Sequence, residues 1–428
     1  MKIKGLRWYM AGLICLVTAL NYLDRNTLPL LAQTLEKELG ITADKYAQIT
    51  TAFLIGYMIM YAVSGRVIDF LGSRRGFAVF VFGWAVVDTL HYFARSALQF
   101  MGCRFLLGAV EPANFPAAVK VVSEWFPVRE RALAVGIFNS GTALGAAFAA
   151  PIVTWVVLNL GWRYTFVVSA VLSVLWVLVW LLVYRVPQQH PCITEAELKL
   201  IEENQPVPTV VERVSTGRIL RTKEAWGCIV ARMLTDPISY FIIFWLPKFL
   251  QQERHFDLAA MARYYWMPWV GLALGNLVGG AIPKYLVQRG WTLNRARKTM
   301  MFIASLIMPA SFILITQVAT PLLTITCATT ALFFHGVWAN VTLPAEVFQK
   351  SVVGSVSGFG GCGGSLIGAI LNQLVIGRMV KAGLFPQVFM LYSILPMTAF
   401  IVVCLLVKRL GELREIPAWP RSKSVNPC

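Results

Sequence analysis

Apolar residues fill most of the chain in long runs, and polar residues gather in the short intervals between them. The runs fall at about 8–34, 45–68, 77–95, 97–122, 131–156, 163–184, 226–250, 258–287, 299–318, 320–344, 352–379 and 384–408. Each is close to or above the ~20 residues that a helix needs to cross a bilayer core. Lipid offers no partner to a backbone N–H or C=O, so runs of this length are predicted as helices. Barrel strands would alternate with period two over short segments, and these runs do not. One long polar interval, 185–224, separates six runs from six. The pattern predicts an all-α membrane protein of twelve transmembrane helices in two six-helix bundles. The bundles cover 1–184 and 225–408, with a cytoplasmic linker at 185–224 and a cytoplasmic tail at 409–428.

Composition agrees with the pattern. Hydrophobic residues make up 57% of the 428 and charged residues 14%, against roughly 25% charged in soluble chains. The net charge of +17 invites a nucleic-acid reading until its distribution is counted. With the N-terminus in the cytoplasm, about 26 of the 38 Lys and Arg residues fall on cytoplasmic segments and about nine outside, the bias that sets membrane orientation. The expected location is a bacterial inner membrane with both termini in the cytoplasm, the partners being lipid and a small solute, with no nucleic acid. The first run, preceded by Lys2, Lys4 and Arg7, is too long for a signal core and lacks a small-residue cleavage site. Eight cysteines without metal spacing and four scattered histidines predict no metal site and no cofactor.

Ionisable residues inside spans are costly and mark functional sites. Here they are Asp24 and Arg25 in the first span, Arg104 and Glu111 in the fourth, and Arg232 and Asp236 in the seventh, with Asp88 and His91 as a weaker set in the third. Arg104 and Glu111 lie two turns apart, so they share a face at roughly 10 Å axial separation without pairing. Asp24 reaches one of them if the first and fourth spans face each other. A protonatable acid beside a fixed cation is the chemistry of cation-coupled anion uptake, and the planar fork of Arg25 suits a carboxylate. A neutralising ion pair between helices is the structural alternative. Arg232 and Asp236, spaced i,i+4, fit a local salt bridge as well as a solute contact, and Asp88 and His91 are expected to face water near the outer end of their helix. The glycines from Gly354 to Gly368 fit either close packing or bending. In the linker, 193–204 is predicted to start a helix capped by Thr194, on a solvated tether.

The stretch GRVIDFLGSRRG (65–76) places Gly65, Asp69, Gly72, Arg74 and Arg75 in a tight turn between the second and third helices. It resembles the loop motif G-x3-D-x2-G-x-[RK]-[RK] of the major facilitator superfamily. NYLDR (21–25), RFLLGAVEPANFP around Arg104 and Glu111, and SEWFPVRERALAVG (123–136) resemble the anion:cation symporter family. KIKGLRWYM (2–10), VGIFNSG (135–141) and GRILRTKEAWG (217–227) are similar to bacterial hexuronate transporters in particular. The resemblance implies that Arg25 binds a solute carboxylate, that Asp24 and Glu111 carry coupling protons, and that Arg104 organises the two acids. It assigns Tyr57 to solute contact and Asn139 and Thr142 to the cavity. Asn340, Asn372 and Gln373 are candidates for hydroxyl contacts. Some hexuronate carriers lack an acid at the position of Asp24, whereas galactonate-type carriers have one; the latter also have an asparagine where this chain has Gly358.

The function expected is proton-coupled symport of a sugar-acid monoanion, a hexuronate first, by a carrier that works as a monomer and is not an enzyme. An aldonate or another organic anion is the alternative. Drug/proton antiport is disfavoured because GIFNSGTALGAAFAAP (136–151) lacks the Gly-Pro signature of such exporters. A non-transporting sensor would be expected to add a sizeable cytoplasmic domain.

Overall fold

The computed structural model describes residues 2–203, 216–318, 320–338, 343–348, 350–371 and 375–410. The first half contains α1 (Leu6–Leu30), α2 (Ala32–Leu39), α3 (Ala43–Phe93), α4 (Ala97–Val110), α5 (Asn114–Trp125), α6 (Val128–Asn159) and α7 (Tyr164–Val183). The linker holds α8 (Glu195–Glu203) and α9 (Thr216–Ile219). The second half contains α10 (Lys223–Glu253), α11 (Leu258–Tyr264), α12 (Met267–Gln288), α13 (Leu293–Gln317) and α14 (Pro321–Trp338). It ends with α15 (Leu343–Val347), α16 (Lys350–Leu371), α17 (Gly377–Lys381) and α18 (Phe385–Leu406).

Among the described residues, 10 helical stretches are long and apolar enough to cross a bilayer, and Ser355–Leu371 is a shorter apolar helix. The remaining predicted span is the first part of α3. Its first turns border the other half, where Asp44 pairs with Lys381 and Thr51 donates to Ala369 O. Helix α3 carries two predicted spans because the chain turns at a single residue, Gly72 (φ 75, ψ 160). That φ lies where a side chain is strained and glycine is not. The fourth predicted span is likewise α4 and α5, joined through a tight turn at Glu111–Ala113. Pro112 removes a backbone donor there.

Within the first half, α1 packs on α6, and α3 packs on α4 and α7. Within the second, α10 packs on α16 and α18, α12 on α14, and α13 on α14 and α18. The halves meet where α16 and α17 cross α3, where α11 and α12 cross α6, and where α1 crosses α10. Helices α3 and α4 touch backbone to backbone: a Cβ on Gly56 would strike the Phe105 carbonyl, and one on Gly108 the Phe53 carbonyl. Small residues at such crossings let membrane helices approach closely. Several glycines of α16 serve the same end, with Gly360 against Arg232, Gly364 against Asp236 and Gly368 against Tyr240, while Gly358 faces open space.

The linker differs from the solvated tether expected of it. Thr194 does cap α8, its Oγ1 accepting from Glu197 N at 3.3 Å. Glu197, however, is buried, and its carboxylate accepts from the backbone N–H groups of Leu6 and Arg7, both at 3.1 Å. Arg7 adds ion pairs of 2.8 Å to Glu197 and to Glu130. The start of α1 leaves backbone donors unsatisfied, and a carboxylate is a good partner for them. Thus α8 is docked onto the first half.

Candidate functional site

Arg25 and Glu111 form a buried ion pair between α1 and the α4–α5 turn. Arg25 Nη2 lies 2.6 Å and Nε 3.0 Å from Glu111 Oε2, and the side chains are 3% and 0% exposed. The guanidinium also sits over the rings of Tyr22, Tyr57 and Phe53, at 4.7, 4.9 and 5.3 Å. Desolvated cation–π contacts of this kind contribute about 2 kcal/mol. The Gly56/Gly108 crossing sets this geometry, because it carries Phe53 and Tyr57 of α3 up to the end of α4 that bears Glu111. Asn21, one turn before Arg25, accepts from Nη2 at 3.4 Å.

Arg25, but not Glu111 behind it, lines a cavity of about 880 Å³ between the halves. From the first half it is lined by Arg25, Tyr57, Asn139 and Thr142, all anticipated, and by Tyr22 and Tyr61, which were not. From the second half come Arg232 and Asp236, an ion pair of 2.9 Å. Arg232 Nη1 also donates to Ser357 O at 2.8 Å. The pair is thus the local salt bridge that was one of the two alternatives, and it borders the cavity. Ser239, Tyr240, Asn276 and His335 add unanticipated polar lining, with Ser239 Oγ 2.7 Å from His335 Nε2. Tyr61 had a signal, since it follows Tyr57 by four residues and shares its helix face.

The cavity opens toward the linker face, where Val135, Lys284, Gln288 and Leu293 line it. The opposite face is closed by contacts between the halves. Lys248 Nζ and Gln252 Nε2 reach Glu36 Oε2 at 2.9 and 2.8 Å. Gln251 Nε2 donates to Leu30 O at 2.9 Å, Tyr46 Oη to Phe244 O at 2.7 Å, and Lys381 pairs with Asp44 at 2.7 Å.

The other predicted residues divide. Asp24 is buried, and it faces Asp88 across α1 and α3 at hydrogen-bonding range, with Arg104 and Glu111 further members of the group. Asp88 and His91 do not face water as expected. They are 1% and 0% exposed, and His91 stacks on Phe166 with ring centroids 4.8 Å apart. An α-helical turn near a membrane surface looks amphipathic in sequence whether its polar face meets water or another buried charge. Arg104 is 1% exposed, and its Nε and Nη2 have no hydrogen-bond partner among the described residues. In the α3 turn, Asp69 pairs with Lys120 at 3.0 Å and Arg74 donates to Leu181 O. Gly65 faces Pro116 across an ordinary contact, Gly72 makes the reversal, and Arg75 is exposed. Asn340, Asn372 and Gln373 lie outside the described residues.

Two helical halves around a cavity sealed at one face and walled in part by ion-paired arginines define a membrane carrier. The chain belongs to the Major Facilitator Superfamily, whose family model it matches over residues 14–372. It is thus a multi-pass membrane transporter and not an enzyme. It is 33% identical over 411 residues to the hexuronate transporter of Escherichia coli (strain K12), covering 94% of each chain. It is 35% identical over 337 residues to the galacturonate transporter of Dickeya chrysanthemi, covering 77% of this chain and 96% of that one. In fold it is similar to a bacterial homolog of the human lysosomal transporter Spinster, in an inward-facing and occupied conformation. The TM-score is 0.73 at 16% identity, over 97% of this chain and 100% of that one.

Proposed function

We propose that the protein takes up a sugar-acid monoanion, a hexuronate such as glucuronate or galacturonate, by symport with protons. The observation that carries the reading is Arg25 at the cavity wall, ion-paired behind it with the buried Glu111. A solute carboxylate and the Glu111 carboxylate compete for one guanidinium, so protonating Glu111 frees Arg25 for the solute. The names of the two similar transporters support the solute class.

In this reading the linker face is cytoplasmic, as the excess of Lys and Arg on that side supports, and the membrane is a bacterial inner membrane. The conformation is then open to the cytoplasm. Protons arriving from outside load Glu111 and Asp24, and Arg104 organises the two acids. Arg25 takes the carboxylate, while Tyr57, Asn139 and Thr142 meet the hydroxyls together with polar groups of the second half. The bundles 1–184 and 225–408 rock about the cavity, while the linker 185–224 and the tail 409–428 stay in the cytoplasm. Coupling follows because protonation changes the relative stability of the two open states. A galactonate-type aldonate is the second reading, favoured by the presence of Asp24.

The test is uptake of labelled D-glucuronate into proteoliposomes under an imposed pH gradient, competed by D-galacturonate, D-galactonate and D-glucose. Accumulation that collapses with the gradient, and competition by acids but not by glucose, is the expected result. Competition by the neutral hexose and not by its acids overturns the reading.

A further inference from the structure

Behind Arg25, away from the cavity, the first half buries a second group of charges that the proposed cycle uses only in part. Asp24 on α1, Asp88 and His91 on α3, and Arg104 on α4 are each at most 2% exposed, and none of them lines the cavity. The other titratable groups facing them are Glu111, Tyr46 from the start of α3, and Cys103 beside Arg104. From α7, Phe166 contributes only its ring, stacked on His91.

The carboxyl groups of Asp24 and Asp88 meet at hydrogen-bonding range. Neither brings a donor when ionised. Both oxygens of Asp24 and Oδ2 of Asp88 lack a hydrogen-bond partner among the described residues, as do Nε and Nη2 of Arg104. Two bare carboxylates at that range in a dry site repel, and one of such a pair holds a proton.

Counting charge gives the same answer. Arg25 and Glu111 neutralise each other. What remains is one guanidinium, Arg104, against two carboxyls. His91 does not alter the count. Its Nδ1 lies 2.9 Å from Val87 O, so that nitrogen carries the hydrogen, and its Nε2 meets no acceptor among the described residues that would call for a second. One proton therefore makes the group neutral and supplies the donor that the carboxyl pair lacks.

We propose that Asp88 is the second half of a proton site: Asp24 and Asp88 hold one proton between them, balanced by Arg104, while the cavity is open at the linker face. The O–H bond sits on one carboxyl and donates to the other. Release passes the proton to water and leaves two carboxylates beside Arg104. This deepens the proton-coupled reading, on which only its consequence for transport rests; the shared proton itself does not depend on the solute.

The first experiment needs no solute. Infrared spectra of the purified protein in detergent at neutral pH, in H2O and D2O, report the C=O stretch of a protonated carboxylic acid. The band is expected in the wild type and in Glu111→Gln. It is expected to vanish in Asp24→Asn and in Asp88→Asn, where an amide N–H supplies the donor, with no further loss in the double variant. A band that persists in Asp88→Asn, or its absence from the wild type, overturns the proposal. The second experiment measures D-glucuronate-driven proton movement in proteoliposomes, with exchange of labelled for unlabelled D-glucuronate as the control for folding. Asp88→Asn is expected to carry fewer protons per solute than the wild type, and an unchanged ratio also overturns the proposal. If the bands behave as expected but the wild type ignores D-glucuronate, the hexuronate reading fails and the shared proton stands.

Discussion

Arg25 and Glu111 meet through one oxygen. Both Nε and Nη2 of the arginine donate to Glu111 Oε2, and Oε1 is left without a hydrogen-bond partner among the described residues. The carboxylate is held, yet half of it is uncommitted. A proton on Oε1 weakens the pair from the carboxylate side while the guanidinium keeps its aromatic seat. For Glu111→Gln, uphill accumulation of solute is expected to vanish while exchange persists. Counterflow and gradient-driven uptake in the same vesicles separate the two, and undiminished accumulation would remove Glu111 from the coupling.

Arg25→Lys keeps the charge but loses the fork and most of the stacking on Tyr22, Phe53 and Tyr57. Charge-assisted hydrogen bonds contribute about 1.5–3 kcal/mol, so solute affinity is expected to fall on the order of 10–100-fold. Direct binding to the purified protein measures this without the complication of coupling.

Lys248 is 1% exposed and joins Glu36 across the face opposite the linker. Replacing both by cysteine, in a chain lacking its native thiols, and joining them with a cleavable bifunctional thiol reagent long enough to span the lost side chains is expected to stop transport reversibly. Gel mobility and uptake before and after cleavage of the linker report it. Uninterrupted uptake by the cross-linked protein would mean that this contact does not open during the cycle.

A side chain at Gly108 would push α4 away from Phe53 and Tyr57. Overpacking costs about 1–3 kcal/mol, so Gly108→Val is expected to lower the melting temperature and weaken solute binding together. Val135→Ala, at the cavity's open end, is expected to change neither by a comparable amount.

Glu197→Ala strips the start of α1 of the carboxylate that Leu6, Arg7 and the Arg7 side chain all use. A loss of roughly 1–3 kcal/mol in stability follows from leaving buried donors unsatisfied. Thermal unfolding in detergent reads the loss, and solute selectivity is expected to stay as in the wild type.

The helices were legible because lipid permits so few alternatives, and Arg25, Glu111 and Arg104 because a charge inside an apolar run has no other excuse. Asn139 and Thr142 were legible through the resemblance to sugar-acid carriers. Tyr22 and Tyr240 were not, since an aromatic residue in a membrane helix has no contrast with its neighbours, and Tyr61 was legible only through its spacing from Tyr57. The burial of Asp88 was hidden for a different reason. Whether a carboxyl one turn from a helix end meets water or another carboxyl depends on which helix packs beside it. Glu36 and Lys248 were invisible in the same way, because they lie far apart in sequence and pair only when the two halves close at one face.

Arg25 stands between the wet cavity and the dry group around Asp24 and Asp88. A fixed cation at such a threshold is an electrostatic barrier to protons, as it is in pores that exclude them. The side chain that would hold the solute is therefore expected also to insulate the membrane. A carrier with glutamine in its place is expected to bleed the proton gradient with no solute present, a short circuit that a pH-sensitive dye inside empty vesicles would register.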